Sequence, residues 1–373
     1  MSFYEVYLQF KDFDFEGFFA SVDDKDIEQV LGRDDLDPLD FLTLLAPQAA
    51  KHLEAMAQKA HRLTIQHFGK VILLYTPMYL SSYCSNQCIY CSFNAGNHLP
   101  RKKLTLDEVV EEARAIAATG LRHILILTGE SRRMSPVSYL ADCTRVLLEY
   151  FSSVSIEVYP LETKEYETLI AAGVDGLTIY QEVYDRKTYD RLHLSGPKKD
   201  YRYRLDAPER GCRAGMREVN IGALLGLEPN WRREAFFTGM HAHYLQNKYL
   251  ETEIAVSLPR LRPVREDSTS YTLLSDLDVV QNLLALRLFL PRCGITISTR
   301  ERASLRDNLI GLGVTKMSAG TTTEVGGHSQ GEHGHGQFEI FDRRGVPEIK
   351  AAITRKGYQP VFKNWHPLPR SAG

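Results

Sequence analysis

Cys84, Cys88 and Cys91, in the run Tyr83-Cys84-Ser85-Asn86-Gln87-Cys88-Ile89-Tyr90-Cys91, bring three soft ligands into one short loop. Three thiolates so spaced can hold three corners of an iron-sulfur cubane. Such clusters normally take four Cys, so the fourth iron is either bound from a distance or left open for a molecule that reacts there. The open iron is the chemically richer choice. A structural zinc site instead asks for four ligands, usually with a second Cys or His pair in register, and His98 is the nearest candidate. Cys143, Cys212 and Cys293 stand singly in or beside helical stretches and read as buried structural thiols.

The chain around this loop is built like an enzyme scaffold. It has 373 residues, 43% of them apolar, and its 45 Lys plus Arg nearly cancel its 47 Asp plus Glu. That balance removes the electrostatic footprint of a nucleic-acid or anionic-membrane binder and leaves a small-molecule substrate as the default. No apolar run reaches the roughly 18 residues of a membrane helix, and the N-terminus lacks the basic and apolar pattern of a secretory signal. Six cysteines without such a signal point to a reducing interior and a cytoplasmic protein.

From about residue 70 the pattern alternates between short β-branched runs and helical periodicity. The strand candidates are 71–79, 123–128, 155–161, 176–181, 218–224, 253–258, 295–299 and 316–319, with helical stretches in every gap except the shortest. Eight βα units predict an α/β, TIM-like (β/α)8 barrel, although an open doubly wound sheet has the same alternation. Thr105-Leu106-Asp107-Glu108 has the form of a capping box, and Gly173 and Gly215 stand where helices should stop. Residues 1–69 read as an N-terminal extension, acidic and aromatic at first and helical over 46–68. Residues 70–320 read as the barrel, and 321–373 as a Gly/His-rich loop with a closing helix and a strand-like Val361-Phe362.

The cysteine loop follows the first strand, at the barrel face where active sites sit. With the open iron chelated by S-adenosylmethionine, spacing and Tyr90 together resemble the radical S-adenosylmethionine (SAM) superfamily. The resemblance implies a [4Fe-4S] cluster on Cys84, Cys88 and Cys91. It implies that Thr128, Gly129 and Glu130 bind the methionine ammonium, and that Glu182 and Arg204 hold the ribose and the carboxylate. An acid suits hydroxyls, and a guanidinium suits a carboxylate.

Further segments carry a narrower resemblance: Pro77-Met78-Tyr79-Leu80-Ser81, Leu127-Thr128-Gly129-Glu130, Tyr180-Gln181-Glu182-Val183-Tyr184, residues 221–227, 257–263, Ser298-Thr299-Arg300-Glu301 and Met317-Ser318-Ala319-Gly320. They are similar to the aromatic amino-acid lyases, specifically the tyrosine lyases that make 2-iminoacetate for thiamin thiazole. The resemblance implies that an electron passes to SAM and that the 5′-deoxyadenosyl radical takes hydrogen from the amino group of L-tyrosine. The Cα–Cβ bond then fragments to 2-iminoacetate and p-cresol. Arg300 would fork the substrate carboxylate, with Ser318 and Tyr79 beside it; the competing reading of Arg300 is a helix-start ion pair with Glu301 or Asp307. A reduced flavodoxin or ferredoxin-type donor and thiazole synthase are the implied partners.

The related maturase that makes carbon monoxide and cyanide carries a second cluster on a C-terminal Cys-x-x-Cys, whereas no cysteine follows Cys293 here. A tryptophan lyase and a non-catalytic metal-binding or assembly protein are the remaining alternatives. In the tail, His328, His333 and His335 with Glu324 and Glu332 could form a metal site, or residues 320–337 a mobile cover over the barrel mouth.

Overall fold

The computed structural model describes residues 2–261 and 271–363. Its strands are β1 (Val71–Ser81), β2 (His123–Thr128), β3 (Ser153–Glu157), β4 (Gly176–Thr178), β5 (Glu218–Gly222), β6 (Glu253–Ser257), β7 (Gly294–Ile297) and β8 (Lys316–Ser318). Each pairs in parallel with the next, and β1 pairs with both β2 (Met78 opposite Ile126) and β8 (Leu74 opposite Met317). The ring is therefore closed, which an open doubly wound sheet cannot be. Closure explains the composition of β1, where every residue after Val71 is buried, because side chains on one face fill the barrel and those on the other meet helices.

Helices fill the gaps, including the shortest, where Thr163–Ala172 ends at the Gly173 stop that the sequence marks although no helical periodicity signals the helix itself. A capping acid, Glu162, and Gly173 at φ 110° delimit it, so caps define that helix more than periodicity does. Thr105 and Glu108 form the expected capping box at the start of Leu106–Ala117. β3 and β4 end before the expected 161 and 181, since the chain leaves the sheet at Glu157 and Thr178 to reach the mouth.

Before β1, the acidic lead is itself helical: Phe3–Phe10, Phe15–Ser21, Asp24–Leu31 and Pro38–Leu45, the last three capped by Asp14, Asp23 and Asp37. Pro47 opens a 3-10 segment, Pro47–His52, and the α-helix begins only at Leu53 and runs to Phe68. Aromatic contacts fasten this layer to the barrel helices. Phe3 stacks on His241 at 3.9 Å and Phe41 on Phe289 at 4.5 Å.

After β8 the tail holds a short helix, Gly327–Gln330, then Val346–Arg355 and β9 (Gln359–Val361). This last strand pairs with the first residues of β1, two positions earlier than the expected Val361-Phe362. Arg262 and Pro263 of the family-like segment lie outside the described residues. No helix among the described residues is long and apolar enough to cross a membrane.

Candidate active site

All three loop cysteines line one cavity at the C-terminal ends of the strands, with about 1380 Å³ of empty space counted out to its open mouth. Its lining runs from the cysteine loop to Arg300 and Ser318, so one cavity joins both sets of candidate residues. Backbone pairing holds the cysteine loop: Gln87 N–H donates to Ser195 O at 3.0 Å and Ile89 N–H to Leu192 O at 3.1 Å. Arg101 donates to the carbonyls of Ser82, Phe93 and Asn94, closing the base of the loop.

Burial raises all three thiols, Cys88 to about 12, with Lys198 pulling Cys88 and Cys91 back. Such sulfurs become thiolates only against a positive partner, which bound iron is. Among the described residues no three His, Cys, Asp or Glu side chains converge as a single metal ion requires. A cubane makes no such demand, because each thiolate meets its own iron. Cys143, Cys212 and Cys293 are buried elsewhere and do not line the cavity.

On the side of β2 to β4 the cavity wall is charged. Glu130 receives Arg204 Nη1 at 2.8 Å and Asn86 Nδ2 at 2.7 Å, while Glu182 receives Lys198 Nζ at 2.7 Å and lies 3.6 Å from Arg204 Nη2. Burial would raise both carboxyls, but Arg204 and Lys198 outweigh it and hold them below their ordinary range. Two anions and two cations leave a neutral, largely buried cradle, suited to a zwitterion. Tyr90 turns its hydroxyl to His193 Nε2 at 2.8 Å; His193 Nδ1 faces the Tyr189 carbonyl, so Nε2 is the acceptor.

Glu182 carries a φ of 71°, the only positive value on a non-glycine among the described residues. Such backbone costs about 1–3 kcal/mol and clusters at functional sites. It is held by the Glu234 carboxylate, which accepts the N–H groups of Tyr184 at 2.5 Å and Asp185 at 3.0 Å.

The cradle also leaves an opening for a ligand. Thr128 Oγ1 is buried on the cavity wall without a hydrogen-bond partner, a group that a bound polar molecule would satisfy. At Gly129 a Cβ would lie 2.4 Å from Tyr83 O and 3.2 Å from Cys84 Cβ. Gly129→Ala should therefore push the cysteine loop outward; a tenfold or greater loss of SAM affinity is expected in equilibrium binding, and unchanged affinity would show the loop to be looser than its packing.

Across the cavity, Arg300 follows β7, Ser318 ends β8 and Tyr79 lies on β1, and all three line the same space. The ion pair that competed for Arg300 does not form. Glu301 binds Arg260 at 2.8 Å and Asp307 binds Arg344 at 2.8 Å, whereas the Arg300 guanidinium lies flat on Phe338 with its carbon 3.3 Å from the ring centre. Ser318 Oγ accepts the Thr299 N–H at 3.0 Å.

Among the lining residues that the sequence does not single out are Lys198, Glu157, Gln337 and Phe338. Burial and the charge of Glu182 raise Glu157 to about 7 against the pull of Arg300 and Lys198. A lone carboxylate inside the apolar run Ser155-Ile156-Glu157-Val158 was the available signal, hidden because the strand was drawn through it. Nothing distinguished Lys198 from a solvated charge.

The tail does not build the metal site its histidines suggested. Glu324 is taken up by the N–H groups of His333, Gly334 and His335, and His328 Nε2 faces Pro77 O at 2.9 Å. Glu332 instead meets Arg343.

This site sits in a chain with clear relatives. Residues 78–238 match the Radical SAM superfamily and residues 257–359 the Biotin and Thiamin Synthesis associated domain. The chain is 38% identical over 340 residues to the 2-iminoacetate synthase of Escherichia coli (strain K12), covering 91% of this chain and 90% of that protein. It belongs to the 2-iminoacetate synthase family. The 2-iminoacetate synthase of Salmonella typhimurium (strain LT2) is 36% identical over the same shares. Among solved structures, HydG, a maturase of the [FeFe]-hydrogenase, superposes with a TM-score of 0.87 at 29% identity, covering 95% of this chain and 80% of that one.

Membership in the 2-iminoacetate synthase family makes the chain a radical SAM enzyme of the lyase class. The family implies a [4Fe-4S] cluster and SAM, and the open thiols, the zwitterion-like cradle and the orphaned Thr128 hydroxyl fit both.

Proposed function

We propose that this protein cleaves the Cα–Cβ bond of L-tyrosine to 2-iminoacetate and p-cresol, supplying the imine for thiamin thiazole formation. The observation that carries the reading is Arg300: a guanidinium inside the cavity, flat on Phe338, while its neighbouring carboxylates Glu301 and Asp307 are bound elsewhere. Such a group is a receptor for an amino-acid carboxylate.

Cys84, Cys88 and Cys91 would hold three irons, and Glu130, Glu182, Arg204, Thr128 and the backbone at Gly129 would hold SAM, with Tyr90 on the cavity wall beside them. When bound, cluster and SAM supply a one-electron cleavage that furnishes a hydrogen-abstracting radical. The chain's part is placement. Arg300 and Ser318 fix the carboxylate end of the substrate, which leaves the amino group toward the SAM cradle. Glu157, on the strand four places round the ring from β7, stands where the aromatic ring arrives and can meet its hydroxyl.

Because 2-iminoacetate hydrolyses, direct transfer to thiazole synthase is the expected use of the product, and a flavodoxin- or ferredoxin-type protein the expected electron donor. Anaerobic turnover of the reconstituted protein with each aromatic amino acid tests the reading. Tyrosine should yield p-cresol, with glyoxylate from imine hydrolysis; products from tryptophan alone would replace tyrosine lyase by tryptophan lyase.

A further inference from the structure

The glycine-rich tail enters the cavity at a defined point, Gln337 and Phe338. Glu324 clamps three successive N–H groups, at 2.6, 2.7 and 3.0 Å. Thr323 O then accepts the Gln337 N–H at 3.2 Å, and Thr323 Oγ1 donates to Phe338 O at 2.9 Å. Gly336 permits this approach, since a Cβ there would lie 2.3 Å from Thr323 Oγ1. The backbone on both sides of Gln337 is thus pinned, and its side chain is delivered between two active-site groups.

Gln337 Oε1 lies 2.7 Å from the Tyr79 hydroxyl, and Nε2 lies 3.8 Å from Cys91 Sγ. Hydrogen-bond polarity follows from the sulfur. An iron-bound thiolate has no proton and can only accept, so the amide must turn its NH2 toward Cys91 and its oxygen toward Tyr79. The single hydroxyl proton of Tyr79 is then committed to Gln337. What Tyr79 offers the substrate is a lone pair, which a carboxylate repels and an amino N–H welcomes.

We propose that Gln337 is a positioning residue with two linked effects: its N–H to the Cys91 sulfur raises the reduction potential of the cluster, and its carbonyl fixes Tyr79 as an acceptor for the substrate's amino group. The first effect is physical: a donor to a ligand sulfur stabilises the more negative, reduced cluster. The second moves Tyr79 from the carboxylate clamp to the nitrogen that loses hydrogen. Both rest on the cluster assignment of the proposed function.

The test is a redox titration of the anaerobically reconstituted full chain, followed by electron paramagnetic resonance. Gln337→Leu should weaken reduction about tenfold, some 59 mV for a one-electron couple. Gln337→Glu should weaken it further, because a carboxylate cannot donate and adds negative charge. Tyr79→Phe, which keeps the contact to sulfur, should stay within threefold of the wild-type equilibrium while its affinity for tyrosine falls. A purely structural role for Gln337 would alter tyrosine binding and leave the potential in place, and that result overturns the proposal. If Gln337→Leu takes up no iron, the nearly isosteric Gln337→Glu decides by the same measure. A wild-type protein that binds no four-iron cluster overturns the underlying reading and this inference with it.

Discussion

Arg300→Met is expected to lower kcat/KM for tyrosine by roughly 30- to 5,000-fold, the 2–5 kcal/mol range for removing one partner of a buried charge pair. The effect should be confined to the amino acid. Cluster loading and SAM cleavage without substrate should persist, since the cysteines lie on the loop after β1, Glu130 on the loop after β2 and Arg204 in the helix Tyr201–Leu205, all apart from the end of β7. Arg300→Lys should recover little, because an ammonium cannot present a planar fork to a carboxylate or lie flat on Phe338. There is also an electrostatic consequence: Arg300 holds Glu157 down, so its removal should raise that carboxyl above about 7 and leave it more fully protonated at neutral pH. Parallel assays of p-cresol and 5′-deoxyadenosine check the prediction; equal losses of both products would place Arg300 in the cofactor site instead.

The second large effect is on stability. Asp342 and Arg306 form an ion pair in which neither side chain is exposed, and Asp342 also receives Arg344 at 2.7 Å. Burial alone would raise Asp342, but the two guanidinium groups hold it below the usual carboxylate range. Arg306 reaches onward to the carbonyl of Ser318, so the pair ties the tail to the β8 end of the clamp. Asp342→Ala leaves a buried guanidinium without its counter-ion, and a loss of about 3–5 kcal/mol is expected in denaturant titration. Asp342→Asn, which keeps an acceptor without the charge, should fall between. A loss under about 1 kcal/mol for Asp342→Ala would mean that water reaches Arg306.

The parts of this protein legible from its sequence are those whose signal is local. Three cysteines close in the chain cannot avoid sharing a loop, and β-branched runs separated by capped helices cannot avoid parallel strands with crossovers. Arg300 and Ser318 were legible for a similar reason: they stand at the ends of recognisable strands, and in a barrel every such end faces the same mouth. In the shortest βα gap only the stop at Gly173 was legible, because a ten-residue helix defined by Glu162 and Gly173 has too few turns for periodicity to show.

Other features depend on approach between distant segments, which spacing does not record. Lys198 becomes a cavity residue only because the segment 192–195 pairs with the cysteine loop. Gln337 becomes one only because Glu324 and Thr323 clamp the tail against the mouth. The histidines beside it lose their apparent metal chemistry by the same clamp, since the carboxylate they needed is spent on backbone N–H groups.

By itself the sequence determined an open three-cysteine site at the mouth of an α/β barrel and the residues able to serve a cofactor there. Tertiary structure decided which charges compensate one another, that Glu301 and Asp307 pair away from Arg300, and which way the hydrogen bond from Tyr79 points. The division has one physical cause. Ligand spacing and strand order are written along the chain, whereas desolvation, ion pairing and hydrogen-bond direction depend on which groups folding brings within about 4 Å.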